Sequence, residues 1–181
     1  MKRLAYVALS SLALIACGFG IAAKLGDTPD LPATLTDSYG KSVPLKNDQF
    51  RVFFFYPKAA SSGCTTQNIE YTKRYQAFLD NKTQVFGVSS DDAKEQCAFI
   101  EAQKLKVPQI PDTKNTLQRI FEVGGILSFY SRDTIVVAPG GKIVSVRRGV
   151  NPASDAAEVL KFVQTGDCKS FTSGSSRECA R

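Results

Sequence analysis

The chain has 181 residues, of which 43% are hydrophobic, 22% charged and 10% aromatic, and this composition excludes a collagen, a coiled coil or a largely disordered protein. The formal net charge of +6 is modest and includes no dense basic stripe with interleaved aromatics, so we expect no nucleic-acid partner. The chain contains no histidine, which excludes Ser-His-Asp and Cys-His catalysis as well as His-ligated metal and haem sites.

The N-terminal residues 1–25 have the pattern of an export leader or a membrane anchor. Lys2 and Arg3 precede an uncharged run of apolar and small residues over 4–23, which suits lipid better than a soluble core. Three fates stay open: cleavage after a small-x-small sequence, retention as an anchor, and lipidation of Cys17, because the LIAC sequence that ends there resembles a bacterial lipobox. The basic start should remain inside in each case. We therefore expect an exported, non-cytoplasmic domain, in a periplasm, in a lumen or anchored facing outward, that meets a membrane only through this segment.

The rest of the chain predicts one α/β domain over residues 33–164, after a linker rich in Gly, Pro and Asp over 26–32. In chain order the patterns first predict a hairpin over 33–48, a strand over 51–56, a helix over 65–79 and a strand over 84–89. A helix from Asp91 or Asp92 to about Leu105, a loop or short edge strand over 107–113 and a short helix over 115–123 follow. The last predicted elements are two strands over 133–138 and 142–148, joined by a Pro-Gly-Gly turn, and a helix over 154–164. Parallel crossovers followed by an antiparallel hairpin are typical of a thioredoxin-like fold, with a mixed central sheet, helices on both faces and an N-terminal β-hairpin.

The C-terminal residues 165–181 form a tail that is rich in Gly, Ser and Thr and carries Cys168 and Cys179. An exported domain can keep a structural disulfide. Three interpretations of this pair stay open: a structural disulfide, two free thiols, and a redox role.

Cys64 has the sequence context of a reactive cysteine. It follows a buried strand and a short loop and stands at the start of a predicted helix, whose free amides and dipole favour an anionic thiolate. The alternative, a small buried core residue, would fit an apolar position in the middle of a helix better. None of the five cysteines belongs to a C-x-x-C pair, which argues against a zinc knuckle or a thioredoxin-type dithiol, and we expect no metal and no other cofactor.

Residues 54–65, FFYPKAASSGCT, resemble the peroxidatic-cysteine segment of the peroxiredoxins, in which Pro is followed after three residues by Thr or Ser, and after two more by Cys. The glycine before Cys64 and Thr65 after it are similar to the peroxiredoxin Q, or bacterioferritin-comigratory, branch of that family. The similarity extends over about residues 34–162 and includes Arg132 in the sequence SRDT, whereas the leader and the tail lie outside it.

The resemblance implies a role for each of four residues. Cys64 would be the thiolate that attacks one peroxide oxygen, giving a sulfenic acid and water or an alcohol. Ser61, in place of the commoner threonine, would exchange hydrogen bonds with the peroxide, and Pro57 would shield the sulfur from water. Arg132 would donate N–H groups to the thiolate and to the leaving oxygen. The alternative for this arginine is a surface ion pair with an acid such as Asp133.

Many relatives of this branch carry a resolving cysteine five residues after the peroxidatic one, where this chain has Ile69. Either the enzyme works with one cysteine, or another thiol resolves the sulfenic acid. Cys97, in the helix after the second buried strand, is the resolving residue that the resemblance implies; a structural role for Cys97 and resolution by a tail cysteine stay open. A Cys64–Cys97 disulfide would require local unwinding of the first helical turns.

Two classes of function follow from these observations. The first is a thiol-dependent peroxidase that reduces hydrogen peroxide and organic hydroperoxides, is regenerated by a thioredoxin-like dithiol reductant and, as the branch implies, is a monomer. The second is a non-enzymatic thioredoxin-fold module for binding or redox sensing. The combination of Pro57, Ser61, Cys64 and Arg132 predicts the peroxidase, because a binding module has no need of that set.

Overall fold

The computed structural model describes residues 24–171 and 176–179, so the predicted leader through residue 23, including Cys17, lies outside the described residues. The strands of this part are β1 (Thr34–Thr36), β2 (Ser42–Pro44), β3 (Phe50–Phe55), β4 (Thr83–Ser89), β5 (Gln109–Pro111), β6 (Gly125–Ile126), β7 (Phe129–Tyr130), β8 (Thr134–Val137), β9 (Ile143–Arg148) and β10 (Ser176–Cys179). The helices are α1 (Ser62–Asp80), α2 (Ala93–Gln103), α3 (Thr116–Ile120) and α4 (Asp155–Thr165), and a 3₁₀ turn covers Cys168–Ser170. Among the helices of residues 24–171, none combines the length and the apolar character needed to cross a bilayer.

Six strands form the central sheet in the order β10–β9–β8–β3–β4–β5. β3 runs parallel to β4, and β4 runs parallel to β5. On the other side of β3, strands β8, β9 and β10 extend the sheet with antiparallel pairing. β1 and β2 form the N-terminal hairpin. The mixed sheet and its covering helices confirm the thioredoxin-like fold that the sequence predicted.

The central strand β3 shows why the sequence carries an uninterrupted apolar run at this point. Phe53 and Phe55 belong to the core cluster on one face of the sheet, with α3 and the β1–β2 hairpin. Val52 and Phe54 belong to the cluster on the opposite face, with α1, α2 and α4. Because both faces are covered, five of the six β3 residues are buried. The strand therefore ends at a fixed position, directly before the loop that leads to Cys64.

Three features differ from the elements that the sequence predicted. α1 begins at Ser62 and not at residue 65, and Cys64 lies in its first turn as the sequence predicted. β6 and β7 form a hairpin of two-residue strands, which are too short to give a periodic signal. The tail, where no element was predicted, contributes the 3₁₀ turn and strand β10, and a disulfide joins Cys168 to Cys179 with their Cα atoms 6.0 Å apart. The position of β10 depends on pairing with β9 and on this bond, neither of which a hydrophobic pattern reveals.

Candidate active site

Cys64 is the third residue of α1 and is completely buried. It belongs to the same core cluster as Tyr56, which follows the end of β3. The N-cap residue of the helix, Ser61, makes no side-chain cap hydrogen bond, and the first turn contains no acidic residue. The amides of this turn therefore receive no anionic partner from α1 itself, and together with the helix dipole they place partial positive charge beside Cys64.

A guanidinium reaches the sulfur from a distant part of the chain. Arg132 lies in the segment between β7 and β8, and its Nη2 donates to Cys64 Sγ at 3.4 Å. The structure thus brings together two residues that the resemblance assigns to one site. The alternative partner, Asp133, instead accepts from Arg148 Nη1 at 2.9 Å and from the amide of Gly149 at 3.1 Å. Arg132 is therefore directed to the thiol and not to its acidic neighbour.

Gln67 is a residue of the site that sequence reasoning missed. Its side chain is fully buried one helical turn after Cys64, and its Oε1 accepts from Arg132 Nη1 at 2.8 Å. The guanidinium is thus held by both of its terminal nitrogens, one on the amide and one on the sulfur. A signal was available, because residues three positions apart lie on the same side of a helix. A glutamine at that spacing is placed next to any group that approaches the sulfur.

A carboxylate from another loop holds the loop between β3 and α1. Asp91, between β4 and α2, is buried, and its Oδ2 accepts from the amide of Ala59 at 2.7 Å. Lys58 Nζ lies 2.5 Å from Asp91 Oδ1 and 2.5 Å from Glu95 Oε1. Ala60, the residue after Ala59, has a φ of +61°, a left-handed conformation that residues with a Cβ rarely adopt. The loop is therefore tied to the start of α2 and strained immediately beside that tie.

The other predicted site residues lie on the same loop. Ser61 is exposed, and its hydroxyl donates to the carbonyl of Lys58 at 3.1 Å rather than to the thiol. Pro57 follows Tyr56 directly, where β3 gives way to the loop. Because Cys64 is fully buried, any molecule that reaches the sulfur must displace atoms that cover it.

Cys97 is the fifth residue of α2, is partly exposed and directs its Sγ to the carbonyl oxygen of Ser38 at 3.1 Å. Cys64 and Cys97 are free thiols, whereas Cys168 and Cys179 are bonded to each other. Within the described residues, Cys97 is thus the one free thiol besides Cys64. In the same ranges, no three Cys, Asp or Glu side chains gather in a way that could hold a metal ion.

A thiol at a helix N-terminus, held by a guanidinium at the end of a thioredoxin-like sheet, defines the class of thiol-dependent peroxidases. The model of the AhpC/TSA family matches residues 27–146, and the chain belongs to this family. Within it, the chain is a peroxiredoxin of the peroxiredoxin Q/Bcp branch. It is accordingly an oxidoreductase, which decides against the non-enzymatic binding module.

Relatives of this branch resemble the chain over most of its length. Peroxiredoxin Bcp of Xanthomonas campestris pv. campestris is 29% identical over 140 residues, which cover 74% of this chain and 88% of that protein. Chloroplastic peroxiredoxin Q of Suaeda salsa is 30% identical over 151 residues, covering 80% of this chain and 71% of that protein.

Solved structures show the same likeness. A mutant of Xylella fastidiosa PrxQ matches with a TM-score of 0.75 at 26% identity, covering 81% of this chain and 99% of that one. The bacterioferritin comigratory protein of Xanthomonas campestris, studied for its alkyl peroxide reduction activity, matches with a TM-score of 0.68 at 27% identity, covering 76% and 97%. These structures confirm the family that residues 54–65 indicated.

Proposed function

We propose that Cys64 is the peroxidatic residue of this peroxidase and that Arg132 activates it. The observation that carries the proposal is the contact of 3.4 Å between Arg132 Nη2 and Cys64 Sγ at the N-terminal end of α1. The guanidinium and the helix amides both favour a thiolate, which is the nucleophilic form of cysteine. A cysteine that only filled an apolar core would need neither.

In the first step, the Cys64 thiolate attacks one oxygen of the peroxide. An S–O bond forms while the O–O bond breaks, so the sulfur is oxidised to a sulfenic acid and the departing oxygen is reduced. That oxygen takes up a proton and leaves as water, or as an alcohol when the substrate is an organic hydroperoxide. Negative charge moves from the sulfur to the leaving oxygen, and the fixed N–H groups of Arg132 stabilise it in both places.

The loop residues Pro57 and Ser61 shape the place where the peroxide binds. Pro57 has no backbone N–H, which leaves one polar group fewer to hold water near the sulfur. The Ser61 hydroxyl donates to the carbonyl of Lys58 in the structure. Once released from that carbonyl by rotation about its Cα–Cβ bond, the hydroxyl can donate to a peroxide or accept from it.

We assign the second step to Cys97. Its thiol attacks the sulfur of the sulfenic acid, an S–S bond forms, and the oxygen leaves as water with the thiol proton. Cys97 is a free, partly exposed thiol, which supports the assignment, whereas the bonded tail cysteines offer no free thiol. The Cys64 sulfur must leave its buried position to meet Cys97, so the first turns of α1 must unwind during each cycle.

We further infer that a thioredoxin-like dithiol reductant regenerates the enzyme by thiol–disulfide exchange. We also infer that the protein acts outside the cytoplasm as a monomer, with any membrane contact confined to residues 1–25. The basic start and apolar run of that segment support export. The Cys168–Cys179 bond fits the same location, since disulfides persist in oxidising compartments.

The test is an assay of peroxide consumption by the purified full chain with a dithiol donor, in which the parent is compared with Cys64→Ser and Cys97→Ser. We expect no consumption by Cys64→Ser and a single turnover by Cys97→Ser, with hydrogen peroxide and with an organic hydroperoxide. Steady turnover by Cys97→Ser would identify a one-cysteine enzyme and overturn the assigned second step. Parent-like consumption by Cys64→Ser would overturn the whole proposal.

A further inference from the structure

A buried carboxylate behind the site gathers hydrogen bonds from the surrounding elements. Asp155, the first residue of α4, is fully buried. Its Oδ2 accepts from Gln67 Nε2 at 3.0 Å, from the Tyr71 hydroxyl at 2.8 Å and from the Thr134 hydroxyl at 2.8 Å. Burial, and after it the charge of Asp155, raise the pKa of Tyr71 well above its usual value, so the phenol stays protonated and donates.

The second oxygen of this carboxylate belongs to an ion pair. Arg147 of β9, also fully buried, binds Asp155 Oδ1 through Nη1 and Glu158 through Nη2. A guanidinium can only donate hydrogen bonds. Asp155 therefore offers one oxygen to Arg147 and the other to the three donors, and both oxygens serve as acceptors.

The acceptor-only character of this carboxylate determines which way the amide of Gln67 faces. The amide oxygen accepts and the amide nitrogen donates. An ionised Asp155 only accepts and Arg132 only donates, so Gln67 must turn Nε2 to Asp155 and Oε1 to Arg132, as in the structure. A continuous series of hydrogen bonds thus leads from Asp155 through Gln67 and Arg132 to the sulfur of Cys64.

We propose that Asp155 is a positioning residue of the peroxidase, which keeps Arg132 at the Cys64 sulfur by fixing the orientation of the Gln67 amide. The proposal rests on the peroxidatic role proposed for Cys64. A carboxylate that served only to join α4 to the sheet through Arg147 would stabilise the fold and leave the reactivity of the thiol unchanged.

Asp155→Asn keeps the size and shape of the side chain but replaces the oxygen that faces Gln67 with a donor, which reverses the direction of the hydrogen bonds in this series. The asparagine oxygen stays with the Arg147 guanidinium, which leaves the new NH₂ group facing Gln67 and the two hydroxyls. The hydroxyls can accept instead of donating, but the Gln67 amide must flip and turn its own NH₂ group toward Arg132. The Gln67 NH₂ group and the Arg132 guanidinium are then two donors that face each other, and Arg132 loses its hydrogen bond to Gln67.

The experiment compares the full chain with Asp155→Asn and with Glu158→Gln, a matched control on the same helix that neutralises the other carboxylate bound to Arg147. Two rates are measured as a function of pH: the reaction of hydrogen peroxide with Cys64, by competition with a reporter peroxidase, and the labelling of Cys64 by iodoacetamide, by peptide mass spectrometry. We expect Asp155→Asn to slow both about tenfold at neutral pH and to move the pH midpoint upward, the effect of losing one charge-assisted hydrogen bond. Glu158→Gln should keep both rates within about twofold of the parent.

A second substitution tests the route through Gln67 and also serves if Asp155→Asn folds poorly. In Asp155→Asn/Gln67→Glu, the asparagine NH₂ donates to a carboxylate whose other oxygen accepts from Arg132, and the net charge equals that of the parent. We expect this double variant to recover most of the lost rate. If Asp155→Asn folds and keeps the rates and the pH midpoint of the parent, the proposal is overturned. Gln67→Ala, which removes the amide, gives the rate without the connection, and a double variant as slow as Gln67→Ala would also overturn the proposal. Peroxide reduction that is lost in Cys64→Ser keeps the proposed function valid in either case.

Discussion

At the scale of single residues, the site depends on a guanidinium shared between two acceptors. Arg132 directs one terminal nitrogen to Gln67 and the other to the sulfur of Cys64. The helix N-terminus contributes only partial positive charge near the sulfur. The planar guanidinium adds donors in fixed directions, which a flexible ammonium group cannot supply. In the proposed first step, the charge on the leaving oxygen therefore meets donors that need no rearrangement.

Arg132→Lys keeps the positive charge but removes the pair of terminal nitrogens that contact Gln67 and Cys64. A single lysine nitrogen cannot hold the amide of Gln67 and the sulfur in the same geometry, so we expect the rate of Cys64 with hydrogen peroxide to fall about 100-fold. Competition kinetics on the reduced full chain measure this rate. Arg148→Lys, which alters the guanidinium bound to Asp133, is the control and should retain the rate. Parent-like kinetics for Arg132→Lys would show that charge alone is sufficient.

Ala60 offers a test of strain in the loop between β3 and α1. Its φ of +61° lies in the left-handed region, which costs a residue with a Cβ about 1 kcal/mol relative to glycine. We therefore expect Ala60→Gly to raise the free energy of unfolding by about 1 kcal/mol, less the added freedom of the unfolded chain. Urea denaturation followed by circular dichroism measures it. Ala59→Gly, outside the left-handed region, should instead lower stability; a loss in both variants would contradict strain at Ala60.

The sequence indicated the residues to which we assign the reaction, but not those behind them. Cys64 and Arg132 belong to segments that resemble those of a known family, so the sequence alone was enough to name them. The spacing of three residues from Cys64 marks Gln67 as a neighbour of the sulfur, but polar side chains such as those of Gln67 and Asp155 fit the solvent-facing side of a helix. Only the packing of α1 against α4 buries them, and burial turns two ordinary polar side chains into a specific hydrogen-bond series.

At the scale of elements, an ion-pair cluster joins the two parts of the chain that carry the free thiols. We call Lys58, Asp91 and Glu95 the loop latch, because Lys58 binds both carboxylates and Asp91 also holds the amide of Ala59. Glu95 precedes Cys97 by two positions on α2. The loop latch therefore opposes the movement that would bring Cys64 to Cys97.

Lys58→Gln weakens the loop latch and should speed that movement. We expect the Cys64–Cys97 disulfide to form about threefold faster after one equivalent of peroxide, a modest gain because a half-exposed ion pair contributes little. Acid-quenched samples analysed by mass spectrometry measure the rate. Lys94→Gln removes the same charge from α2 and is the control. An unchanged rate in Lys58→Gln would contradict the role of the loop latch.

The pH dependence of that gain follows from the charge of Lys58. Hydrogen bonds to Asp91 and then to Glu95 raise the pKa of Lys58 above its ordinary value. A raised pKa means that the contribution of this amine is complete below the ordinary lysine value and is lost as the pH rises through the raised one. The gain of Lys58→Gln should accordingly stay constant from neutral to mildly alkaline pH. A gain that faded within that interval would show that another group controls the loop.

Prediction of elements succeeded where burial leaves a pattern and failed where pairing alone decides. β3 and β4 are buried on both faces, which produces continuous apolar runs, and α2 follows Asp92, whose side chain caps its first turn. β6 and β7 have two residues each, and β10 lies in a polar tail. Their positions depend on the backbone of a partner strand, which carries no hydrophobic signal.

At the scale of the whole molecule, the tail extends the fold beyond the domain that the sequence predicted over 33–164. β10 pairs with β9 at the edge of the central sheet. Phe171, inside the loop closed by the disulfide, packs on Phe162 with ring centroids 5.1 Å apart. The guanidinium of Arg147 lies 4.3 Å from the centre of the Phe171 ring. The tail thus covers the buried charges that lie behind the site.

The disulfide should contribute substantially to the stability of this arrangement. The bond closes a short loop between Cys168 and Cys179 and so restricts the unfolded chain. We expect Cys168→Ser/Cys179→Ser to lower the free energy of unfolding by about 3 kcal/mol. Urea denaturation followed by circular dichroism, without reductant, measures the difference, and the parent with this bond reduced should match the double variant. Cys97→Ser is the control for loss of a sulfur. A parent-like midpoint in the double variant would mean that strand pairing and the contacts of Phe171 hold the tail without the bond.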